Sequence, residues 1–213
     1  MKAAIFDFDG TLFDSAPYWC RVINNFLAER QIEVSGNILS VVKPLGISDA
    51  VKLMKETYHL EEPQQEIVTS WRSQMGVNYH TVIPLRPCAR EYIGQLRREG
   101  IPVCLATAME RDFVMPALER TGILPSFDLV VTIADVKANK KSPRIYEYCA
   151  EKYQLKPGDC TVFEDSVEAA GICRAAGFEV IGVFDGVCTE DEELMKPYAS
   201  RYIHSFRELL GDG

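Results

Sequence analysis

From Pro102 to Val183, short apolar runs alternate with stretches of helical period, and that rhythm leaves few architectures open. Pro102–Thr107, Leu129–Ile133, Cys160–Phe163 and Val180–Val183 are rich in β-formers and read as strands. Between them, Asp112–Thr121, the stretch from Pro143 to Lys152, and Val167–Ala176 read as helices. Pro143 suits a first helical turn, and Gly177 suits a helix end. Such alternation predicts an α/β fold, a doubly wound parallel sheet with helices on both faces. The apolar run Ala3–Phe8 supplies a first strand, Ala89–Glu99 a helix before the second, and Tyr202–Ile203 a short last strand.

One block breaks the rhythm. After the first strand the chain shows only helical patterns, at Tyr18–Arg30, Ile38–Val42, Ser48–Tyr58 and Gln64–Met75. An all-helical insertion at this point reads as a cap over the catalytic end of the sheet. The expected organisation is a core of residues 1–15 and 82–213 with a helical cap of residues 16–81. A chain of 213 residues is long enough for one sizeable core and a smaller lobe. The net charge of −8 argues against a nucleic-acid partner. No signal-like segment and no apolar stretch near 18 residues is present, so a cytoplasmic protein with no membrane partner is expected. The seven cysteines form no CxxC pair and read as buried, reduced thiols.

The chemistry gathers at strand ends. Asp7-Phe8-Asp9-Gly10-Thr11 closes the first strand, and Gly10 lets the chain turn tightly about the two carboxylates. Paired acids there make a hard-oxygen site for Mg²⁺, and a carboxylate beside such a metal can attack phosphorus. Thr107 ends the second strand, where its hydroxyl and the N–H of Ala108 can donate to a phosphate oxygen. Lys140 precedes the helix that follows Pro143 and can offset gathered negative charge, with Lys137 and Lys141 as competitors. Glu164-Asp165-Ser166 follows the strand Cys160–Phe163, where adjacent acids must bind a cation or cap a helix. All four positions fall at carboxyl ends of predicted parallel strands, where open α/β sheets bind ligands.

In this order, Asp7-Phe8-Asp9-Gly10-Thr11, Thr107, Lys140 and Glu164-Asp165-Ser166 resemble the signature of the haloacid dehalogenase-like superfamily. The resemblance spans the whole chain and extends to the helical-cap branch that includes β-phosphoglucomutase and phosphoglycolate phosphatase. It implies a Rossmann-like core, Mg²⁺ as cofactor and a small phosphorylated molecule as substrate, handled by a monomer. By similarity, Asp7 is the nucleophile, and Asp9 is the general acid, then the base. Metal ligands would be Asp7, the Asp9 carbonyl, Asp165 and Glu164. Gly10, Thr107, Ala108 and Lys140 would hold the phosphate. In the cap, Trp19, Trp71, Arg72, Tyr79 and His80 are candidates to line a cleft, with Trp19 and Arg72 meeting the rest of the substrate. The family's dehalogenase branch lacks the second aspartate, so Asp9 argues for phosphate chemistry. The chain departs from the pattern at Lys141 and Arg144, which replace a proline and an acid, at Asn139 and at Ala169.

Phosphatase and mutase share this core and differ in the cap. The positions serving a histidine and a phosphate-binding arginine in β-phosphoglucomutase hold Trp19 and Asp49 here. Neither can do those jobs, so hydrolysis of a small phosphate monoester, such as a sugar phosphate, is expected over a sugar phosphomutase. A binding protein on a dead enzyme fold is disfavoured because Asp7, Asp9, Lys140 and Asp165 are all retained. Rotation of the cap about hinges near Asp14–Pro17 and Thr81–Pro87 would close the site.

Overall fold

The computed structural model describes residues 1–33, 36, 38–43, 45–137 and 141–211. The chain runs β1 (Ala3–Phe6), α1 (Ala16–Ala28), α2 (Ile38–Val42), α3 (Ile47–Tyr58), α4 (Gln64–Thr81) and α5 (Ala89–Arg98). Then come β2 (Val103–Thr107), α6 (Arg111–Arg120), β3 (Leu129–Thr132), α7 (Ile133–Val136), α8 (Arg144–Lys152) and β4 (Cys160–Glu164). α9 (Val167–Ala175), β5 (Glu179–Val183), α10 (Asp191–Met195) and β6 (Arg201–Ile203) complete the order. The six strands form one sheet in the order β3-β2-β1-β4-β5-β6, and every pairing is parallel. The strand order reverses between β1 and β4, so the crevice beyond their carboxyl ends is where such a sheet binds ligands.

Both faces of the sheet are covered. On one face, Phe6 and Phe163 are register partners of β1 and β4, and their rings stack at 4.3 Å with an 8° interplanar angle. Tyr92 of α5 and Phe206 pack edgewise or tilted against them. On the other face, Ile5, Cys104 and Val162 meet Tyr146 and Cys149 of α8 and Cys173 of α9. All four residues of β1 are buried, as a central strand between two helical layers requires. The inserted helices α1 to α4 join the first of these cores, where Phe26, Trp71, Met75 and Tyr79 form one apolar cluster with Phe8, Phe13 and Phe113.

Several boundaries differ from the sequence reading, each for a local reason. β1 stops at Phe6 rather than Phe8, because the Phe8 carbonyl accepts from both Leu12 N–H (3.1 Å) and Phe13 N–H (2.9 Å) in a turn. α4 runs to Thr81 rather than ending near Met75. Gly76 makes this possible: a Cβ there would lie 3.2 Å from Phe113 Cε1, so glycine lets α4 settle on α6. α7 starts at Ile133, where a strand end was expected, because Asp135 accepts from the Thr132 N–H (2.7 Å) and hydroxyl (2.9 Å). Pro143 stands just before α8 rather than inside it. The acidic α10 was not anticipated. Five cysteines are buried and two half-buried, all as free thiols. No helix among the described residues is long and apolar enough to cross a membrane.

Candidate active site

Asp7 is the first residue past β1, and its N–H donates to the Phe163 carbonyl at 3.0 Å, so the backbone leaves the sheet still tied to β4. Only 2% of Asp7 is exposed. The turn that follows depends on Gly10, whose φ of 71° lies in the left-handed region. A Cβ at Gly10 would also collide with the Asp165 carboxylate. The Gly10 N–H is shared between the Phe13 carbonyl (3.0 Å) and Ser15 Oγ (3.2 Å). Thr11, fully buried, donates its hydroxyl to Asp165 Oδ1 at 3.0 Å. The motif thus packs onto the end of β4 rather than standing in solvent.

Glu164 is the last residue of β4, and Asp165 follows it. Both Glu164 oxygens have fixed donors, Tyr146 OH on Oε1 (2.8 Å) and Ser166 N–H on Oε2 (2.9 Å). The role of N-cap to α9 falls to Ser166, whose hydroxyl accepts from Ala169 N–H at 3.3 Å. Asp165 is therefore not spent on capping. Asp7, Glu164 and Asp165 are all buried, and each offers an oxygen within 4.8 Å of the others. Three gathered carboxylates are unstable without cations, and a hard, all-oxygen donor set of this kind fits Mg²⁺. Burial pushes the Asp165 carboxyl up to about 6; Lys43 works against this shift, and Glu164 and Asp185 reinforce it.

Thr107 ends β2 and is 1% exposed. Its oxygen accepts from Met109 N–H at 3.0 Å, which turns the hydroxyl proton away from that loop. Ala108 is exposed beside it. Lys140, with Ala138 and Asn139, lies outside the described residues. Lys137 closes α7 in a left-handed conformation at φ 51°.

The helical insertion sends three polar side chains toward these strand ends. Tyr79, fully buried near the end of α4, donates its hydroxyl to Asp9 Oδ1 and accepts from Trp19 Nε1 at 3.2 Å. Lys43, just past α2, reaches Asp165 Oδ2 (2.9 Å), Asp185 Oδ2 (2.8 Å) and Asp191 Oδ2 (2.9 Å). Burial opposes the Lys43 charge, but Asp165 and Asp185 overrule it and hold its pKa above the ordinary lysine value. Arg72 pairs with Glu110, at the entrance to α6, and lies over the Phe113 ring at 5.6 Å. Asp49 is exposed in the first turn of α3. The sequence reading picked out Tyr79 only as one of several cap aromatics and passed over Lys43. A lone lysine after the apolar run Ile38–Val42 was its only signal.

A sequence model of the haloacid dehalogenase-like hydrolases matches residues 1–177. Hexitol phosphatase B of Escherichia coli K12 is 30% identical over 183 residues, spanning 85% of this chain and 82% of that protein. β-Phosphoglucomutase of Bacillus subtilis is 24% identical over 193 residues, spanning 87% and 84%. Among solved structures, a conserved haloacid dehalogenase-like protein from Agrobacterium tumefaciens superposes with a TM-score of 0.84 at 20% identity, over 98% of this chain and 96% of that one. The parallel sheet and the inserted helices agree with these likenesses. The chain belongs to the haloacid dehalogenase-like hydrolase family.

Proposed function

We propose that this chain is a Mg²⁺-dependent phosphatase that hydrolyses a small phosphate monoester of the sugar-phosphate kind through an aspartyl-phosphate on Asp7. The observation that carries the reading is the trio of buried carboxylates Asp7, Glu164 and Asp165 at the switch point of the sheet, next to Thr107 and Asp9. The activities for which the relatives are named, a hexitol phosphatase among them, point the same way.

Asp7, Asp165, Glu164 and the Asp9 carbonyl would hold Mg²⁺. The ion would offset the repulsion between an anionic nucleophile and an anionic phosphate. An Asp7 oxygen attacks phosphorus while the bond from phosphorus to the leaving oxygen breaks. Asp9 gives that oxygen its proton. Water then attacks the same phosphorus, Asp9 takes the water's proton, and Asp7 and phosphate are released. The Thr107 hydroxyl, the backbone N–H group at Ala108, and Lys140 bind the phosphate oxygens, whereas the Gly10 N–H, expected to join them, is spent on the Phe13 carbonyl and Ser15 Oγ and serves the turn instead. Trp19 and Arg72 of a cap spanning residues 16–81 meet the rest of the substrate, and the core comprises residues 1–15 and 82–213.

A mutase reading has the B. subtilis relative in its favour. It is weakened by Asp49 and Trp19, which offer no cation for a second phosphate and no imidazole to relay a proton. A panel of sugar and polyol phosphates, assayed with Mg²⁺, decides. Release of inorganic phosphate that stops with excess chelator is the expected result. Conversion of a hexose 1-phosphate to its 6-phosphate without phosphate release would overturn it.

A further inference from the structure

Asp9 does not stand alone at the end of its turn. Its Oδ1 is held by the phenol of Tyr79, and the direction of that bond is fixed by chemistry. An indole N–H can only donate, so Trp19 Nε1 spends its proton on the Tyr79 oxygen, at 3.2 Å. The Ser15 hydroxyl also meets the phenol oxygen, but the Asp9 carboxylate oxygen can only accept, so the phenol proton is directed to Asp9. The Tyr79 ring has little freedom to turn elsewhere. It is fully buried, with the Phe8 ring at 5.6 Å and the Phe113 ring at 5.6 Å. Its backbone carbonyl also accepts from Arg120 Nε at 3.1 Å, which pins the end of α4 to the end of α6. Trp19 lies on α1 and Tyr79 on α4, both in the helical insertion, whereas Asp9 belongs to the turn after β1.

We propose that Tyr79, anchored by Trp19, is the positioning residue that orients the Asp9 carboxylate for proton transfer to the leaving group. The inference rests on the reading of Asp9 as the acid and base of a phosphatase. With Oδ1 committed to the phenol, carboxylate rotation is restrained, and Oδ2 is the oxygen that delivers the proton as the bond from phosphorus to the leaving oxygen breaks. The same oxygen takes a proton from water in the second step. Tyr79 neither gains nor loses a proton in either step. Burial, with the Asp9 charge beside it, holds its pKa well above the ordinary tyrosine value, which keeps it a donor. Because the orienting pair comes from the cap, Asp9 is aligned only while the cap is seated. A substrate is thus shielded from bulk water at the moment the acid is in place.

The test uses leaving groups that differ in their need for a proton. p-Nitrophenolate leaves as a stable anion, whereas the alkoxide of a polyol phosphate must be protonated as it leaves. Tyr79→Phe keeps the ring in its aromatic setting and removes only the donor. In single turnovers with Mg²⁺, Tyr79→Phe is expected to slow phosphoryl transfer from a polyol phosphate by about tenfold or more. The burst of p-nitrophenolate should change by less than about twofold, since general-acid help is not required there. Trp19→Phe, a milder change, should act in the same direction by roughly two- to threefold, the size of one weakened neutral hydrogen bond. Equal slowing of both substrates by both variants would make Tyr79 a packing residue and overturn the proposal. So would unchanged rates with the polyol phosphate. Asp9→Asn, run in parallel, separates the two levels of inference. If it leaves the polyol rate intact, the role given to Asp9 fails. If it abolishes that rate while Tyr79→Phe and Trp19→Phe do nothing, only the part given to Tyr79 fails.

Discussion

On the core side of the site the carboxylates are held by backbone amides and buried hydroxyls, while the cap reaches them through long side chains. Asp7 is tied through its N–H to Phe163, Glu164 is clamped by Tyr146 and the Ser166 N–H, and Asp165 is held by Thr11. These donors sit on β1, β4, α8 and the turns directly attached to them. The cap contributes Lys43, Tyr79 and Arg72, each meeting a partner far away in sequence. A group fixed by sheet and turn keeps its place when one neighbour changes. A contact made by a lysine or arginine stem depends on how the cap sits and costs side-chain entropy to hold. The core side is therefore suited to the chemistry every substrate shares, and the cap side to features that vary with cap position and substrate.

The largest expected effect tests the core half of that contrast. Asp7→Asn removes the oxygen proposed as nucleophile and leaves a side chain of the same shape. Turnover of any phosphate monoester should fall by at least about a thousandfold, because no other route to an acyl phosphate remains. The melting temperature should stay near that of the parent or rise slightly, since one of three crowded buried charges is gone. Phosphate release assays and thermal denaturation check both parts. A folded Asp7→Asn protein that still turns over would reassign the nucleophile and place the shared chemistry elsewhere.

The same contrast explains what the sequence could and could not reveal. Asp7, Thr107, Glu164 and Asp165 sit within a residue of a strand end, and strand order in a doubly wound sheet brings such ends together. Their convergence was therefore legible from periodicity and from the matching motifs. The four helices of the cap were legible too, by their apolar spacing. Their contacts were not. That Lys43 would find Asp165, Asp185 and Asp191 depends on where α2 lands, and the local pattern around Lys43 describes only a short amphipathic helix. The extension of α4 to Thr81, which brings Tyr79 to Asp9, depends on Gly76 meeting Phe113, a contact with another helix. The strand Leu129–Ile133 was legible except at its last residue, because a side-chain cap, Asp135 onto Thr132, ends the strand at Thr132 and starts α7 at Ile133.

Lys43 tests the boundary between the two halves. Its ammonium is half-buried among three carboxylates, one of them a proposed metal ligand, so removing it strands charge. Lys43→Met should destabilise the protein in chelator by roughly 3 kcal/mol, as breaking a buried ion pair does. Lys43 helps hold the Asp185 pKa below its ordinary value despite burial. Stability from a lowered carboxylate pKa is present above the unfolded value and is lost as pH falls through the folded one. Asp165, by contrast, is raised to about 6, so its burial penalty appears as pH rises through that value, where Lys43 is needed most. The deficit of Lys43→Met should accordingly be full at pH 7 and close below about pH 4, near the reference carboxylate pKa. Mg²⁺ should raise the melting temperature of Lys43→Met more than that of the parent, because the ion and the ammonium compete for Asp165. Equal gains in the two proteins would mean that Lys43 and the metal ignore one another.

The smallest effect is expected at Arg72, and it bears on whether the cap reads the substrate. Arg72 and Glu110 each keep 43% of their side chains exposed, so their ion pair contributes little to stability, at most about 1 kcal/mol. Glu110 lies three residues past Thr107, at the rim of the proposed phosphate site, and a substrate with polar groups beyond its phosphate would enter between Arg72 and that rim. Exchange of Glu110 for a substrate hydroxyl would cost Arg72 little, since the pair it leaves is weak. Arg72→Ala should then shift kcat/KM among sugar and polyol phosphates by up to about tenfold, the worth of one good polar contact. The rate for p-nitrophenyl phosphate, which has no such hydroxyls, should move by less than about twofold. If all substrates slow by the same factor, Arg72 serves only to tie α4 to the start of α6, and the division of labour between core and cap must rest on Trp19 and its neighbours instead.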